Sequence, residues 1–142
     1  MIAETVQGPE GAEKYTWDLT AAPQTIERWR ARAAETVALL GGDQDAVALT
    51  RLGVSELLSN VAKHVTDPRC VLIVGRETDG FRVTVRDRSP HPPAMTIPDW
   101  DAESGRGLWL LAEMVRDWGY SRIPGGKAVW FRFPVAHADG PR

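Results

Sequence analysis

A hairpin signal near the middle of the chain largely decides which folds this sequence can adopt. Residues 70–77 and 81–87 are two apolar, strand-like segments, and Thr78-Asp79-Gly80 joins them. An Asp-Gly pair between two such segments is a strong signal for a tight hairpin turn. Strands joined in this way are antiparallel, so the sequence does not predict the parallel sheet of a regular βαβ repeat.

Alternating apolar residues predict further strands on both sides of this hairpin. Tyr15, Trp17 and Leu19 alternate with polar residues near the start of the chain. A second hairpin is predicted to turn at Pro124-Gly125-Gly126. Between the hairpins, the prolines of residues 88–98 exclude a helix or a central strand, so we predict a loop. The inward-facing residues of the last strand are predicted to be Val129, Phe131, Phe133 and Val135.

Apolar residues at spacings of three and four predict three helices. The first lies between Pro23 and Gly41-Gly42, and Asp43 is placed to cap the second. The third is expected to open at Gly105-Arg106-Gly107 and to close at Gly119. The apolar stripes are Ile26, Trp29, Ala33, Val37 and Leu40 in the first helix, Leu57, Leu58, Val61 and Val65 in the second, and Leu108, Leu111, Val115 and Trp118 in the third.

These elements predict an α+β fold, a two-layer sandwich in which a mixed, mostly antiparallel sheet carries helices on one face. The 142 residues have room for one domain with a real core. We expect the folded domain to span residues 15–135. The polar segments at 1–14 and 136–142 are expected to be flexible. Trp29, Trp118 and Trp130 are expected to pack in the core.

Composition and charge exclude several classes of function. A net charge of −2 argues against direct binding of nucleic acid through its phosphates. The chain begins without the pattern of a signal peptide and contains no apolar run long enough to span a membrane, so we expect a cytoplasmic protein. Cys70, the lone cysteine, lies in an apolar run and is expected to be buried and inert. One cysteine and three scattered histidines do not have the spacing of a zinc site.

Several polar residues stand out against this background. Glu56, Asn60 and Lys63 lie on one face of the second helix, and Gly53, one turn earlier, is expected to leave that face uncrowded. Asp87 ends a strand, and a Gly-x-Gly sequence precedes the third helix. Taken one at a time, these features have ordinary structural explanations: a carboxylate and an amide on one helix face are most often a solvated stripe, Asp87 at a strand end is typical of a loop cap, and Gly-x-Gly is typical of a tight turn. Together they supply a hard oxygen ligand, a base, a second carboxylate and backbone N–H donors.

The same residues form four motifs, in order, that resemble those of the Bergerat-fold ATPases. This family includes gyrase, the ninety-kilodalton heat-shock chaperones, histidine kinases and anti-sigma serine kinases. The chain is most similar to the short anti-sigma kinases of actinobacterial type. The motifs are residues 56–64 (ELLSNVAKH), 83–90 (VTVRDRSP), 103–108 (ESGRGL) and 126–131 (GKAVWF).

The resemblance implies that ATP and Mg²⁺ are the cofactors and assigns roles to the second helix and its neighbouring strand. Asn60 would hold the metal, and Glu56 would act as the general base. Lys63 would approach phosphate oxygens, while a packing role and a site role are equally open for His64. Asp87 would accept a hydrogen bond from the adenine amino group.

The resemblance also implies a phosphate-binding role for the third motif. Gly105 and Gly107 would let the backbone approach the phosphates, and the helix that starts near Leu108 would add the positive end of its dipole. The side chain of Arg106 would either add positive charge or point to solvent.

The chain departs from the family pattern at three places. Ser89-Pro90 stands where the first glycine box usually carries glycine, and Ala128 stands where the last motif often carries threonine. The hydroxyl that helps to fix a water between Asp87 and adenine is therefore expected to be missing. Residues 95–104 form a short counterpart of the ATP lid.

The function that the resemblance implies is partner switching. The domain would sequester a sigma factor and, as a serine/threonine-protein kinase, phosphorylate an antagonist protein to regulate transcription. The alternative is a binding module of the same fold with weak or no catalytic activity, which regulates a protein partner. Whether the domain forms a homodimer is left open.

Overall fold

The computed structural model describes residues 3–7, 13–93, 115 and 117–134. The elements in these ranges include six strands and two longer helices. In chain order they are β1 (Ala3–Gln7), β2 (Glu13–Thr20), α1 (Ile26–Leu39), α2 (Gln44–His64), β3 (Arg69–Glu77), β4 (Gly80–Asp87), β5 (Asp117–Ile123) and β6 (Gly126–Pro134), with a short 3₁₀ turn at Pro23–Thr25 before α1. Of the helices that the structure describes, none is long and apolar enough to cross a membrane.

The six strands form one sheet in the order β1-β2-β3-β4-β6-β5. Every neighbouring pair in this sheet is antiparallel. The two predicted hairpins, β3–β4 and β5–β6, are confirmed, as is the α+β class. The edge strand β1, which pairs Ala3 with Trp17 and Gln7 with Glu13, was not predicted from its polar sequence.

Both predicted helices of the described region are confirmed, and their ends have local causes. Asp43 Oδ1 accepts a hydrogen bond from the backbone N–H of Ala46 at 2.8 Å, which is the N-cap of α2. The helix α1 ends before Gly41, whose φ of 104° is accessible mainly to glycine. The helices bury Trp29, Ala33, Val37, Leu57, Leu58 and Val61.

The core lies between the two helices and the inner face of the sheet. The strands contribute residues of alternating position, as a two-residue period requires. Trp17, Leu72, Val83 and Phe131 are among those with almost no exposed surface. Burial of this kind contributes roughly 1.5–3 kcal/mol per large apolar side chain and holds α2 against β4 and β6.

Gly53 has a different role from the one predicted. A Cβ at this position would overlap the ring of Phe131 on β6, so the glycine faces the sheet and lets the two elements approach closely. It therefore determines how α2 packs on the sheet, and the prediction that it leaves the Glu56 face uncrowded was wrong.

The predicted C-terminal end of the third helix was also wrong. Trp118 and Gly119 lie in β5, where they pair with Phe131 and Trp130 of β6. The helix was predicted from the spacing of Leu108, Leu111, Val115 and Trp118, which reflects only the local sequence. At Trp118, hydrogen bonding to β6 determines the structure instead. Of the rest of that predicted helix, Val115 is buried in the core, whereas Gly105, Arg106, Gly107 and Leu108 lie outside the described residues.

The tryptophans predicted for the core are distributed over both faces of the sheet. Trp29 is 4% exposed and belongs to the core, and Trp118 is half-buried against it. Trp130 alternates with the inward-facing Val129 and Phe131, and its ring lies 5.4 Å from the guanidinium of Arg82. Trp130 is thus on the opposite face, stacked with an arginine, because β6 has only one residue in two directed at the helices.

Candidate functional site

A cavity of about 210 Å³ lies between the second half of α2 and the ends of β4 and β6. We call it the α2–β4 cavity. Its apolar wall is formed by Leu57 and Val61 of α2 together with strand residues such as Val85 and Val129. Its polar lining includes Asn60, His64, Asp87, Ser89 and Lys127. The site therefore combines an apolar wall with a few polar groups, as small-molecule sites generally do.

The helix α2 directs only part of its predicted stripe into this cavity. Asn60 is half-buried and lines the cavity together with His64, four residues later. Lys63 is exposed and is not among the described residues of the lining. Successive residues of a helix are about 100° apart, so Lys63 and His64 project in different directions, and of these two only His64 lines the cavity with Asn60.

Glu56 lies one turn before Asn60 and is also outside the described lining of the cavity. Its carboxyl is half-buried, and burial raises the pKa of Glu56 above its ordinary value of 4.5 because the charged form loses solvation. The positive charge of Lys63 acts in the opposite direction and lowers the pKa of Glu56. A carboxylate with a raised pKa is better suited to accept a proton near neutral pH.

Asp87 is the most constrained polar group of the cavity. Its Oδ1 accepts a hydrogen bond from the backbone N–H of Ser89 at 2.9 Å, and Ser89 Oγ accepts one from the N–H of His91 at 3.1 Å. These two bonds hold the Ser89-Pro90 segment in a bend directly after β4. The loop that lacks the usual glycines is thereby held by side-chain hydrogen bonds.

Lys127 forms a buried ion pair with Asp87. Its Nζ lies 2.9 Å from Asp87 Oδ2 and 3.1 Å from Oδ1, and the two side chains are 6% and 3% exposed. The pair exists because β4 and β6 place Asp87 directly opposite Lys127. A Cβ at Gly126 would overlap the carbonyl of Asp87, so the glycine allows β6 to approach the end of β4.

Lys127 is the site residue that the sequence analysis missed. The prediction concentrated on Ala128 as the position of a missing hydroxyl, but Ala128 pairs with Arg86 and is not among the described residues lining the cavity. The alternation of Val129, Phe131 and Phe133 could have identified Lys127, because a period of two places residue 127 on the same inward face of β6.

Two other predicted properties can be compared with the structure. Cys70 is buried, and burial raises the pKa of its thiol to about 12, which confirms an inert cysteine. Within the described ranges, no group of three or more His, Cys, Asp or Glu side chains is arranged to hold a metal ion. The amide oxygen of Asn60 fits a metal that is bound mainly by phosphate oxygens and water, as Mg²⁺ commonly is.

The comparison with protein families identifies the class of this chain. Residues 19–133 match the model of the histidine kinase-like ATPase domain. The match covers most of the chain, including α2, β4 and β6. The chain belongs to this family, which confirms the resemblance carried by the four motifs.

The fold also occurs in a solved structure. The crystal structure of the RsbU and RsbW domains of Rv1364c from Mycobacterium tuberculosis is similar over 84% of this chain, with a TM-score of 0.62 and 20% sequence identity. The similarity spans 32% of the other chain, so this domain corresponds to about a third of the chain in that structure. At this level of identity the likeness confirms the fold. A comparison with curated proteins gives no match.

Proposed function

We propose that the domain binds ATP with Mg²⁺ in the α2–β4 cavity and acts as a serine-protein kinase in an anti-sigma partner switch. One observation carries the proposal. Asn60 of α2 and Asp87 of β4 belong to different motifs, yet they line the same cavity in a chain of the histidine kinase-like ATPase domain family.

The size and lining of the cavity favour the base as the part of ATP that it holds. Drug-sized ligands generally occupy pockets of about 300–1,000 Å³. A cavity of about 210 Å³ suits a single base between apolar side chains. Asp87 then accepts a hydrogen bond from the adenine amino group, and the triphosphate extends beyond the described lining.

Asn60 is the residue that would hold the metal. Its neutral amide oxygen supplies one hard ligand, and the phosphate oxygens of the nucleotide supply others. When bound, Mg²⁺ would neutralise part of the phosphate charge. We propose the same phosphate-binding roles for Lys63 and for Gly105, Arg106, Gly107 and Leu108 as the resemblance implies.

Glu56 is the proposed general base. Its raised pKa suits it to take the proton from a seryl hydroxyl of a substrate protein as that oxygen attacks the γ-phosphate. The positive charge of Lys63 favours the ionised form of this carboxyl, which is the form that accepts the proton. The helix α2 thus carries both the metal ligand and the base, one turn apart.

The proposed partners are a sigma factor and its antagonist, both of them proteins, and the proposed compartment is the cytoplasm. Phosphorylation adds close to two negative charges to the antagonist's interface. The modified antagonist would be released by charge repulsion, which leaves the domain free to sequester the sigma factor. Similarity to the RsbW-containing structure supports this proposal through the fold alone.

Titration calorimetry with Mg-ATP tests nucleotide binding. Asn60→Ala is expected to weaken the Mg²⁺-dependent part of the affinity, whereas Ser59→Ala on the preceding position of α2 is the matched control and should bind like the wild type. Absence of binding at millimolar Mg-ATP would contradict the proposal.

Transfer of labelled phosphate from ATP to the cognate antagonist tests the kinase. Glu56→Gln is expected to bind Mg-ATP normally and to lose labelling by about 100-fold or more, because general-base catalysis typically contributes that much. If Glu56→Gln labels the antagonist as well as the wild type does, Glu56 is not the general base.

A second candidate function is a regulatory binding module without catalysis. The buried ion pair favours it, because Lys127 and the Ser89 N–H already occupy much of the hydrogen-bonding capacity of Asp87. Weak or absent binding of Mg-ATP, together with no transfer to an antagonist, would favour this alternative over the kinase.

A further inference from the structure

We infer that Lys127 is a second base-recognition residue, which donates a hydrogen bond to the adenine ring nitrogen next to the amino group bound by Asp87. The inference rests on the proposed ATP site and adds a residue that determines its specificity. The Asp87–Lys127 ion pair lies on the wall of the α2–β4 cavity.

The hydrogen-bonding capacity of the pair is only partly used among the described residues. Each carboxylate oxygen can accept about two hydrogen bonds, and a lysine ammonium has three donors. Asp87 Oδ1 receives the Ser89 N–H and Lys127 Nζ, whereas Oδ2 receives Lys127 Nζ at 2.9 Å. With the described residues as partners, one acceptor site on Oδ2 and one N–H of Lys127 remain for a ligand.

The remaining acceptor and donor lie side by side, since Nζ and Oδ2 are in direct contact. Adenine carries an N–H donor on its amino group and an acceptor nitrogen on either side of it, at N1 and at N7. The base can therefore satisfy Asp87 and Lys127 together. Guanine carries a carbonyl in place of the amino group, and this oxygen would face the acceptor of Asp87.

Lys127 is held firmly enough to act in recognition. Its side chain is 6% exposed, and β-sheet pairing fixes its backbone opposite Asp87. A buried, preorganised donor distinguishes strongly between a ligand that accepts its hydrogen bond and one that does not.

Nucleotide analogues that lack single ring nitrogens test the inference on the unmodified protein. We expect 1-deaza-ATP or 7-deaza-ATP to bind about tenfold or more weakly than ATP, because one charge-assisted hydrogen bond is lost. The control is 3-deaza-ATP, whose missing nitrogen is remote from the amino group and whose affinity should equal that of ATP. In Lys127→Met, the analogue that the wild type discriminates against should bind as tightly as ATP.

The outcomes separate this inference from the proposed function. If all three analogues bind the wild type as tightly as ATP, Lys127 does not recognise the base although the ATP site stands. If neither ATP nor any analogue binds, both proposals fail. Should Lys127→Met not fold, the comparison of analogues on the wild type decides by itself.

Discussion

Glu56 is a half-buried carboxyl on a helix, and its environment affects both the stability and the chemistry of the domain. Burial raises its pKa, so the folded state holds the proton more tightly than the unfolded chain does. The stability that this group contributes is therefore present below the unfolded pKa of about 4.5 and is lost as the pH rises through the folded pKa. At neutral pH the ionised group destabilises the fold.

Glu56→Gln should consequently raise the melting temperature at pH 7, by about 1–2 °C for a domain of this size. The difference should shrink as the pH is lowered towards 4.5, where glutamate becomes protonated as well. Thermal unfolding followed by circular dichroism between pH 4 and 8 measures this. Glu35→Gln, an exposed position on α1, is the control with little expected change. A Glu56→Gln domain that melts at a lower temperature than the wild type at pH 7 would contradict a raised pKa of Glu56.

The pH dependence of phosphate transfer should report the same carboxyl. The rate is expected to fall on the acid side with a midpoint above 4.5, because Glu56 must be ionised to accept a proton. Lys63→Met removes the positive charge that lowers the pKa of Glu56, so the acid midpoint should move to higher pH. The readout is the midpoint of kcat/KM, with Arg51→Met, an exposed cation on the same helix, as the control. An unmoved midpoint in the Lys63 variant would be evidence against Glu56 as the base.

The Asp87–Lys127 pair makes a separate prediction about stability. Lys127→Met leaves a carboxylate buried without its partner, which typically costs about 3–5 kcal/mol. Adding Asp87→Asn removes the unpaired charge, so the double variant should recover part of that loss. Urea unfolding of the two single variants and the double variant measures the coupling. Additive losses would mean that the two side chains do not interact as the structure describes.

The packing of α2 against the sheet depends on Gly53. Gly53→Ala would gain helix propensity but would force a methyl group into the ring of Phe131, and overpacking of this kind typically costs about 1–3 kcal/mol. Ala48→Gly, an exposed site on the same helix, measures the propensity difference alone. Denaturant unfolding should show Gly53→Ala destabilised. A Gly53→Ala domain more stable than the wild type would show that α2 does not approach β6 closely.

Local periodicity predicted most elements because burial on one face imposes a period of 3.6 in helices and 2 in strands. It identified α1, α2 and the strands β2, β3, β4 and β6. It failed where pairing was decisive: β1 is polar and exists through its bonds to β2, and Trp118 keeps a helical spacing while lying in β5. The sequence of one segment alone predicts neither the strand β1 nor the position of Trp118 in β5, because both depend on pairing with another strand.

The sequence predicted individual residues of the candidate site but not the contact between two of its strands. Asn60 and Asp87 were found from their motifs, and both line the cavity. The contact between Asp87 and Lys127 depends on the register between β4 and β6, which involves residues 40 positions apart. The alternation of apolar residues in β6 predicts that Lys127 faces inward. It does not predict that Asp87 is the residue opposite Lys127.

In the whole domain, the sheet and α2 together create the site. The helix α2 supplies Asn60, β4 supplies Asp87 and β6 supplies Lys127, so the cavity exists only when the layers are packed. Membership of the histidine kinase-like ATPase domain family gives this cavity its proposed ligand. Nucleotide binding should therefore stabilise the fold, because ATP binds the assembled site and not the unfolded chain.

A crystal structure of the domain with Mg²⁺ and a non-hydrolysable ATP analogue tests this account most directly. We predict that the adenine occupies the α2–β4 cavity, that its amino group donates to Asp87, and that the Mg²⁺ contacts the amide oxygen of Asn60. An analogue bound elsewhere on the domain, or a base that makes no contact with Asp87, would contradict it.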